Sequence, residues 1–211
     1  GALMELYRKL DSTDRLCLLP AGLGDPLDAN GGFSVPKDAE RDRFVMDARP
    51  SNRKHAGRCR WTRLMAAASS LLGLFIPWGK VALMSGDDLQ DFYYDFQVST
   101  GRCIKNIFVG LWDPALFRGF RCFNDTLLTQ HSVVVALATL AQGDVDAVEF
   151  GQAAHVALLA RAGVLRQENL ISLRGRVPRT AYMAGIVIDD HCAIELTAAS
   201  SVAPSGLHSA P

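Results

Sequence analysis

Several absences narrow this sequence before any motif is read. Neither sign of charge is in excess, since Lys and Arg number 22 and Asp and Glu number 22. The chain as a whole therefore has no attraction to nucleic acid or to an anionic surface, and any such preference must come from local clustering. No C-x-x-C pair occurs among the five cysteines, and His55, His131, His155 and His191 lack ligand spacing, which argues against a zinc module. Reduced thiols in an intracellular compartment, cytoplasm or nucleus, are the expectation. No apolar run is long enough to cross a bilayer, so no membrane partner is expected. The most apolar stretch, residues 64–78, carries Gly73 and Pro77 and predicts a buried helix that proline terminates. An initiating methionine and a basic-then-apolar leader are also missing, and the expectation is a piece of a longer protein.

What is present is the composition of a packed protein, 49% hydrophobic and 21% charged over 211 residues, enough for one substantial domain or two small subdomains. The Gly- and Pro-dense stretch 20–32 reads as loop. Two short β-prone runs, 33–35 and 43–47, flank the polar tip KDAERD and predict a hairpin. Strands are predicted at 80–84 and 104–111, and a helix over 147–162 with Val148, Ala154, Leu158 and Leu159 on its buried face. A final hairpin, 183–196, carries two aspartates at its tip, and the Ser/Ala/Pro-rich end from residue 198 predicts a flexible tail.

Chemistry concentrates in two carboxylate clusters, Asp87-Asp88 with Asp91, and Asp189-Asp190, each at the end of a predicted strand. Adjacent carboxylates repel unless a cation neutralises them, so such clusters suit hard divalent ions. Solvated turn residues are the alternative reading of any one pair. His191 beside Asp190 is unaccompanied by a G-x-S-x-G turn, so a hydrolase triad is not indicated.

Five segments, in order, resemble the reverse transcriptase family of retroelements. FSVPKDAERDRFVMDARPSN (33–52) is similar to the fingers hairpin with its D-x-R-x-x-N ending. The resemblance implies that Lys37 and Arg43 hold the triphosphate of an incoming nucleotide. DLQDFYYDFQV (88–98) resembles the first catalytic block, which implies Asp88 as a metal ligand and Tyr93 as the aromatic that closes on the sugar and favours deoxynucleotides. STGRCIKNIFVG (99–110) resembles the strand that follows. LAQGDVDAVEFGQ (140–152) resembles the L-P-x-G block, with Ala141 where the family has proline and Gln142 and Gly143 in the substrate-contacting positions. GIVIDDHCAIE (185–195) resembles the Y-x-D-D hairpin with Val187 in place of tyrosine, implying Asp189 as the second metal ligand and Asp190 as supporting carboxylate. The intervals between blocks are longer than in compact retroviral enzymes, which suggests insertions within 112–130 and 163–180.

The expected fold is α+β: a polymerase palm with a small antiparallel sheet backed by helices, plus an N-terminal fingers hairpin. The expected divisions are an N-terminal segment 1–32, fingers-like hairpin and helix 33–79, palm-like region 80–197 and tail 198–211. The resemblance implies two Mg2+ (or Mn2+) ions, dNTPs, and an RNA or DNA template-primer as partners. A basic segment bearing Arg49, Arg53, Lys54, Arg58, Arg60 and Arg63, with Trp61, suits a template strand, or is simply a solvated face. Two other readings stay open: a catalytically inactive nucleic-acid-binding remnant, and a carboxylate-dependent nuclease, in which the last acid lies on a helix.

Overall fold

The computed structural model describes residues 1–54 and 60–201. The expectations for Arg58, and for the tail over 202–211, lie outside the described residues. The fold is α+β, and by contact it divides into two compact units, each assembled from two stretches of chain: residues 1–57 with 91–147, and residues 58–90 with 148–211.

The first unit opens with helix α1 (Ala2–Ser12) and strand β1 (Leu16–Pro20), followed by the hairpin β2 (Gly31–Pro36) and β3 (Asp42–Asp47) and the single helical turn α2 (Arg49–Asn52). The hairpin pairs from Gly31↔Asp47 to Pro36↔Asp42. Its charged tip closes because Asp38 accepts from the Glu40 N–H and from the Arg41 guanidinium, as turn aspartates commonly do. The helical turn α3 (Thr100–Cys103) comes later in this unit. Strand β1 pairs antiparallel with a later apolar strand, Val133–Leu137, buried along its whole length. Tyr7, Leu18, Phe108, Phe117, Val133 and Val135 form the centre of the core.

The second unit holds a four-stranded sheet. In chain order we name its strands β4 (Lys80–Asp88), then, with Val133–Leu137 as β5, β6 (Leu170–Ile171), β7 (Tyr182–Val187) and β8 (Asp190–Ala198); helix α4 is Ala147–Arg161. The spatial order is β4-β8-β7-β6, antiparallel except for the short parallel β6–β7 pair at one edge. Both faces are covered. On one, Ala184 and Ile186 pack with Leu165 and with Val156 and Leu159 of α4. On the other, Ile171, Met183 and Ile194 meet Ala66, Leu71, Leu74 and Val177.

Three expectations need correction. Residues 64–78 are not a buried helix: only the 3-10 turns Thr62–Leu64 and Ala68–Leu71 form, and Leu72, Phe75 and Trp78 are exposed. The small residues there serve close approach to the sheet rather than helix formation. The Ala66 N–H bonds the Ile186 carbonyl at 2.9 Å, and a Cβ on Gly185 would stand 2.7 Å from the Ala66 Cβ, so only glycine lets the two chains come together. Residues 104–111 are likewise no continuous strand. Buried Asn106 ends a 3-10 turn, and beyond it Ile107, Phe108 and Trp112 make isolated bridges interrupted at Gly110, whose φ is +128°. Finally, α4 turns Gly151, Gln152 and His155 inward, and Leu158 lies exposed. The helix is apolar on most sides, so periodicity alone misassigns its buried face.

Candidate active site

Antiparallel register brings the first pair of acids together. Strands β4 and β8 pair from Lys80↔Ala198 to Asp88↔Asp190. Side chains alternate between the faces of a strand, so Asp88 and Asp190 share one face while Asp87 and His191 share the other. The Asp87 carboxylate lies 3.5 Å from the His191 Nδ1 accordingly, and so points away from Asp88 as the displaced spacing suggests. Asp189 sits in the turn before β8, where its carbonyl accepts from the Leu89 N–H at 3.2 Å, one rung beyond Asp88. Asp88 and Asp190 are exposed and Asp189 is half-buried. Among the described residues no three His, Cys, Asp or Glu side chains converge into a ready metal cage. The arrangement is a directly opposed acid pair with a third acid at the adjacent turn. Like charges so placed repel across a ladder. A magnesium ion typically takes one or two carboxylates and completes its shell with water and substrate phosphates, and this all-oxygen donor set fits that habit.

The turn that carries Asp189 is strained and braced. Val187 pairs with Asp190, leaving Ile188 and Asp189 as a two-residue loop. Ile188 has φ +61°, and in this loop it alone is positive, the pattern of a type II′ turn, whose first position favours glycine. A β-branched residue there costs roughly 1–3 kcal/mol. Two side chains of α4 hold it. The Ile188 N–H donates to the Gln152 Oε1 at 2.8 Å, and the His155 Nδ1 lies 2.8 Å from the Ile188 carbonyl. A carbonyl only accepts, so His155 carries its proton on Nδ1. Gln152 also reaches the Ile186 carbonyl at 3.4 Å. Gln152 is 0% and His155 3% exposed. Sequence reasoning singled out neither for this role; the one available signal was a glutamine and a histidine three apart inside an otherwise apolar helix.

The first turn of α4 anchors the chain entering this unit. Glu149 accepts from the N–H groups of Arg60 at 2.7 Å, Trp61 at 2.6 Å and Thr62 at 3.0 Å. Partial burial opposes its ionisation, but these donors outweigh that and hold it below its ordinary value of 4.5. A depressed carboxylate contributes stability that is complete above the unfolded value and is lost as pH falls through the folded one. We therefore expect the unfolding midpoint to be flat above about pH 5 and to drop below about pH 4.5, and Glu149→Gln to flatten that acid limb at a cost of about 1 kcal/mol near neutrality. Chemical denaturation across pH 3–7 measures both.

In the first unit, the D-x-R-x-x-N segment and the Q-G loop prove to be one construction. Asn52 donates to the Gly143 carbonyl at 2.8 Å and accepts from the Val145 N–H at 3.0 Å, while the Met46 N–H bonds the Gln142 carbonyl at 3.2 Å. Gly143 has φ +109°, and a Cβ there would run into the Met46 carbonyl. Gly143→Ala is expected to lower stability by about 1–3 kcal/mol, measurable as a lowered thermal midpoint, because neither the backbone angle nor the space admits a side chain. Behind the loop, Arg102 pairs with Asp144 and, at 3.2 Å, with Asp146, which Lys105 also meets at 3.3 Å. Burial disfavours the Asp146 charge, yet those two cations keep its carboxyl below the usual range.

Lys37 lies at the hairpin tip and Arg43 on β3 opposite Val35; both are exposed and form no ion pair among the described residues. Tyr93 is half-buried in the 3-10 turn Phe92–Asp95, its ring 6.3 Å from that of Phe92. In the basic segment, two charges are already engaged. Arg49 makes a two-pronged pair with Asp47 at 2.7 and 2.6 Å, and Lys54 meets Asp25 and Asp28 at 3.1 and 2.7 Å. Arg53 is exposed without an ion pair among the described residues, and the Arg60 guanidinium lies over the Trp61 ring at 5.7 Å. Among the described residues no helix is long and apolar enough to cross a membrane.

No protein-family model matches the sequence, and no curated protein matches it either. Comparison of the fold gives a different result, with 286 chains of solved structures matching. One is the foamy viral protease-reverse transcriptase solved in complex with double-stranded DNA, at a TM-score of 0.53 and 14% identity. The match covers 94% of this chain and 26% of that one, so the chain spans about a quarter of that protein's length. At this identity the likeness concerns architecture: the chain has the α+β fold of a reverse-transcriptase-like polymerase palm.

Proposed function

We propose that the chain carries out reverse-transcriptase-like nucleotidyl transfer, the templated addition of dNTPs to a primer 3′-hydroxyl, as the fingers-palm part of a retroelement polymerase. The observation that carries this reading is the register Asp88↔Asp190 with Asp189 at the adjoining turn, in a chain of this fold. Asp88, Asp189 and Asp190 would hold two Mg2+ or Mn2+ ions. When bound, such ions would lower the pKa of the attacking hydroxyl and neutralise charge on the transferring phosphate.

The chain's own groups supply the rest of the chemistry. Lys37 and Arg43, cations on an exposed hairpin with no ion pair among the described residues, would hold the triphosphate and with it the pyrophosphate leaving group. Gln142 and Gly143 would seat the nucleotide against a loop that Asn52 fixes in place. Tyr93 would close on the sugar and disfavour a 2′-hydroxyl. Braced by α4, the Ile188–Asp189 turn would present its carboxylate without rearrangement, which is how preorganised charge gains its effect. Arg53, Arg60 and Arg63 remain the described basic residues of their segment available to template phosphates, since Arg49 and Lys54 already serve local acids.

The test is extension of a labelled primer annealed to RNA or DNA template, with dNTPs and either divalent ion, on this chain and on its parent protein. Template-directed products that require the ion support the proposal. Salt-sensitive binding without extension, in the parent as well, would make the chain an inactive binding remnant. Cleavage of the nucleic acid would point to a nuclease, although Asp189 and Asp190 lie on a hairpin rather than on the helix such enzymes use for their final acid.

A further inference from the structure

One part of the second unit has a composition that nucleotidyl transfer leaves unused. Leu74 and Val177 both point into the core beneath the sheet, and Gly73 permits their chains to touch, since a Cβ on it would stand 3.3 Å from Val177 Cγ2. Those anchors force their neighbours outward. Phe75 and Trp78 are 77% and 103% exposed, and Arg174, Arg176 and Arg179 are exposed on the facing segment. Between the two segments lies a cleft of about 990 Å³, walled by Gly73, Phe75 and Pro77 on one side and Arg176 and Arg179 on the other, with Leu196 at its floor. None of its lining residues is acidic, and the three arginines form no ion pair among the described residues.

Exposed aromatic rings cost solvation, and three clustered cations repel one another; a ligand that offers both flat apolar faces and regularly spaced negative charge would relieve both. A single nucleic-acid strand is such a ligand, with bases to stack on the rings and phosphates to meet the guanidinium groups. We propose that this cleft is a binding site for single-stranded nucleic acid, separate from the acid-bearing end of the sheet. In the cleft Phe75 serves as a stacking platform and Arg176 and Arg179 as phosphate contacts, while Trp78 and Arg174, exposed on the same two segments, extend the site beyond the cleft itself. The cleft needs no divalent ion, so it stands or falls independently of the polymerase reading.

The experiment measures binding of fluorescent oligo(U) and oligo(dT), each about a dozen nucleotides long, by anisotropy across a salt series in EDTA. The triple variant Arg174→Ala, Arg176→Ala, Arg179→Ala should bind roughly 10- to 100-fold more weakly and show a log–log salt slope shallower by about 2, given about 0.7 per phosphate on single strands. Phe75→Ala should weaken binding about tenfold with the slope unchanged. Trp78→Phe should remove the part of the tryptophan quenching that the oligomer produces. These side chains are solvent-facing, so thermal midpoints should stay put. Unchanged affinity and slope in both the triple variant and Phe75→Ala would overturn the proposal. So would loss of self-association by sedimentation in Phe75→Ala with oligomer binding intact, because the surface would then be a protein contact.

Discussion

Asp88→Asn and Asp189→Asn are each expected to abolish ion-dependent primer extension while leaving the protein at least as stable as before. The reasoning joins two opposite effects of the same carboxylates. In the free protein, Asp88 faces Asp190 across the β4–β8 ladder, and Asp189 stands one rung away. Opposed like charges on a ladder destabilise it, so removing one should hold or raise the unfolding midpoint. On the proposed function those charges would be the donors for the ions, and their loss would cost several kcal/mol of transition-state stabilisation. A loss of about 4 kcal/mol corresponds to about a thousandfold in rate. Asp87→Asn provides the control: its side chain lies on the opposite face beside His191, so extension should remain within about threefold. Comparable losses at Asp87 and Asp88 would sink the assignment of the site to that face.

The second large effect belongs to the brace on the turn. Gln152→Ala removes the acceptor from the Ile188 N–H and leaves a void at a fully buried position, for an expected cost of about 2–4 kcal/mol. If Gln152 acts by holding a strained backbone, that cost must shrink when the strain is removed. Ile188→Gly accepts a positive φ freely. On that background, Gln152→Ala should cost at least about 1 kcal/mol less, well beyond the 0.3–0.5 kcal/mol scatter of independent sites. Urea unfolding of the four proteins in the cycle gives the coupling directly. Simple additivity would mean that Gln152 only fills space.

Both effects rest on features of unequal legibility. The two hairpins could be read because alternating β-prone runs flank charged tips, and the acids at their ends announce themselves by repulsion alone. The resemblance of ordered blocks to a polymerase family implies a palm, and the α+β fold agrees. The brace was hidden for the reason that makes it effective. Buried polar groups spend their hydrogen bonds on a distant turn, and nothing local in the helix distinguishes Gln152 from a satisfied core residue. Residues 64–78 misled because hydrophobicity reports burial, not conformation: Ala66, Leu71 and Leu74 go inward from an irregular chain whose other residues face solvent. Strand β1 escaped notice because a five-residue apolar run between helix and loop carries no period of its own. The joining of Asn52 to the Q-G loop is a long-range bond of the kind that a linear pattern cannot express.

The ladder that aligns Asp88 with Asp190 also governs when the protein can first assemble. A ribosome delivers β4 about a hundred residues ahead of the strand it must pair with, and such distant pairings form slowly because the intervening loop must be ordered first. β7, the other neighbour of β8, is itself made only just beforehand. During that interval the nascent chain carries an open strand edge, and Lys80 at its start with Asp87 and Asp88 at its end would act as charged gatekeepers against pairing with other chains. The acids proposed for chemistry would thus protect the chain during its own synthesis.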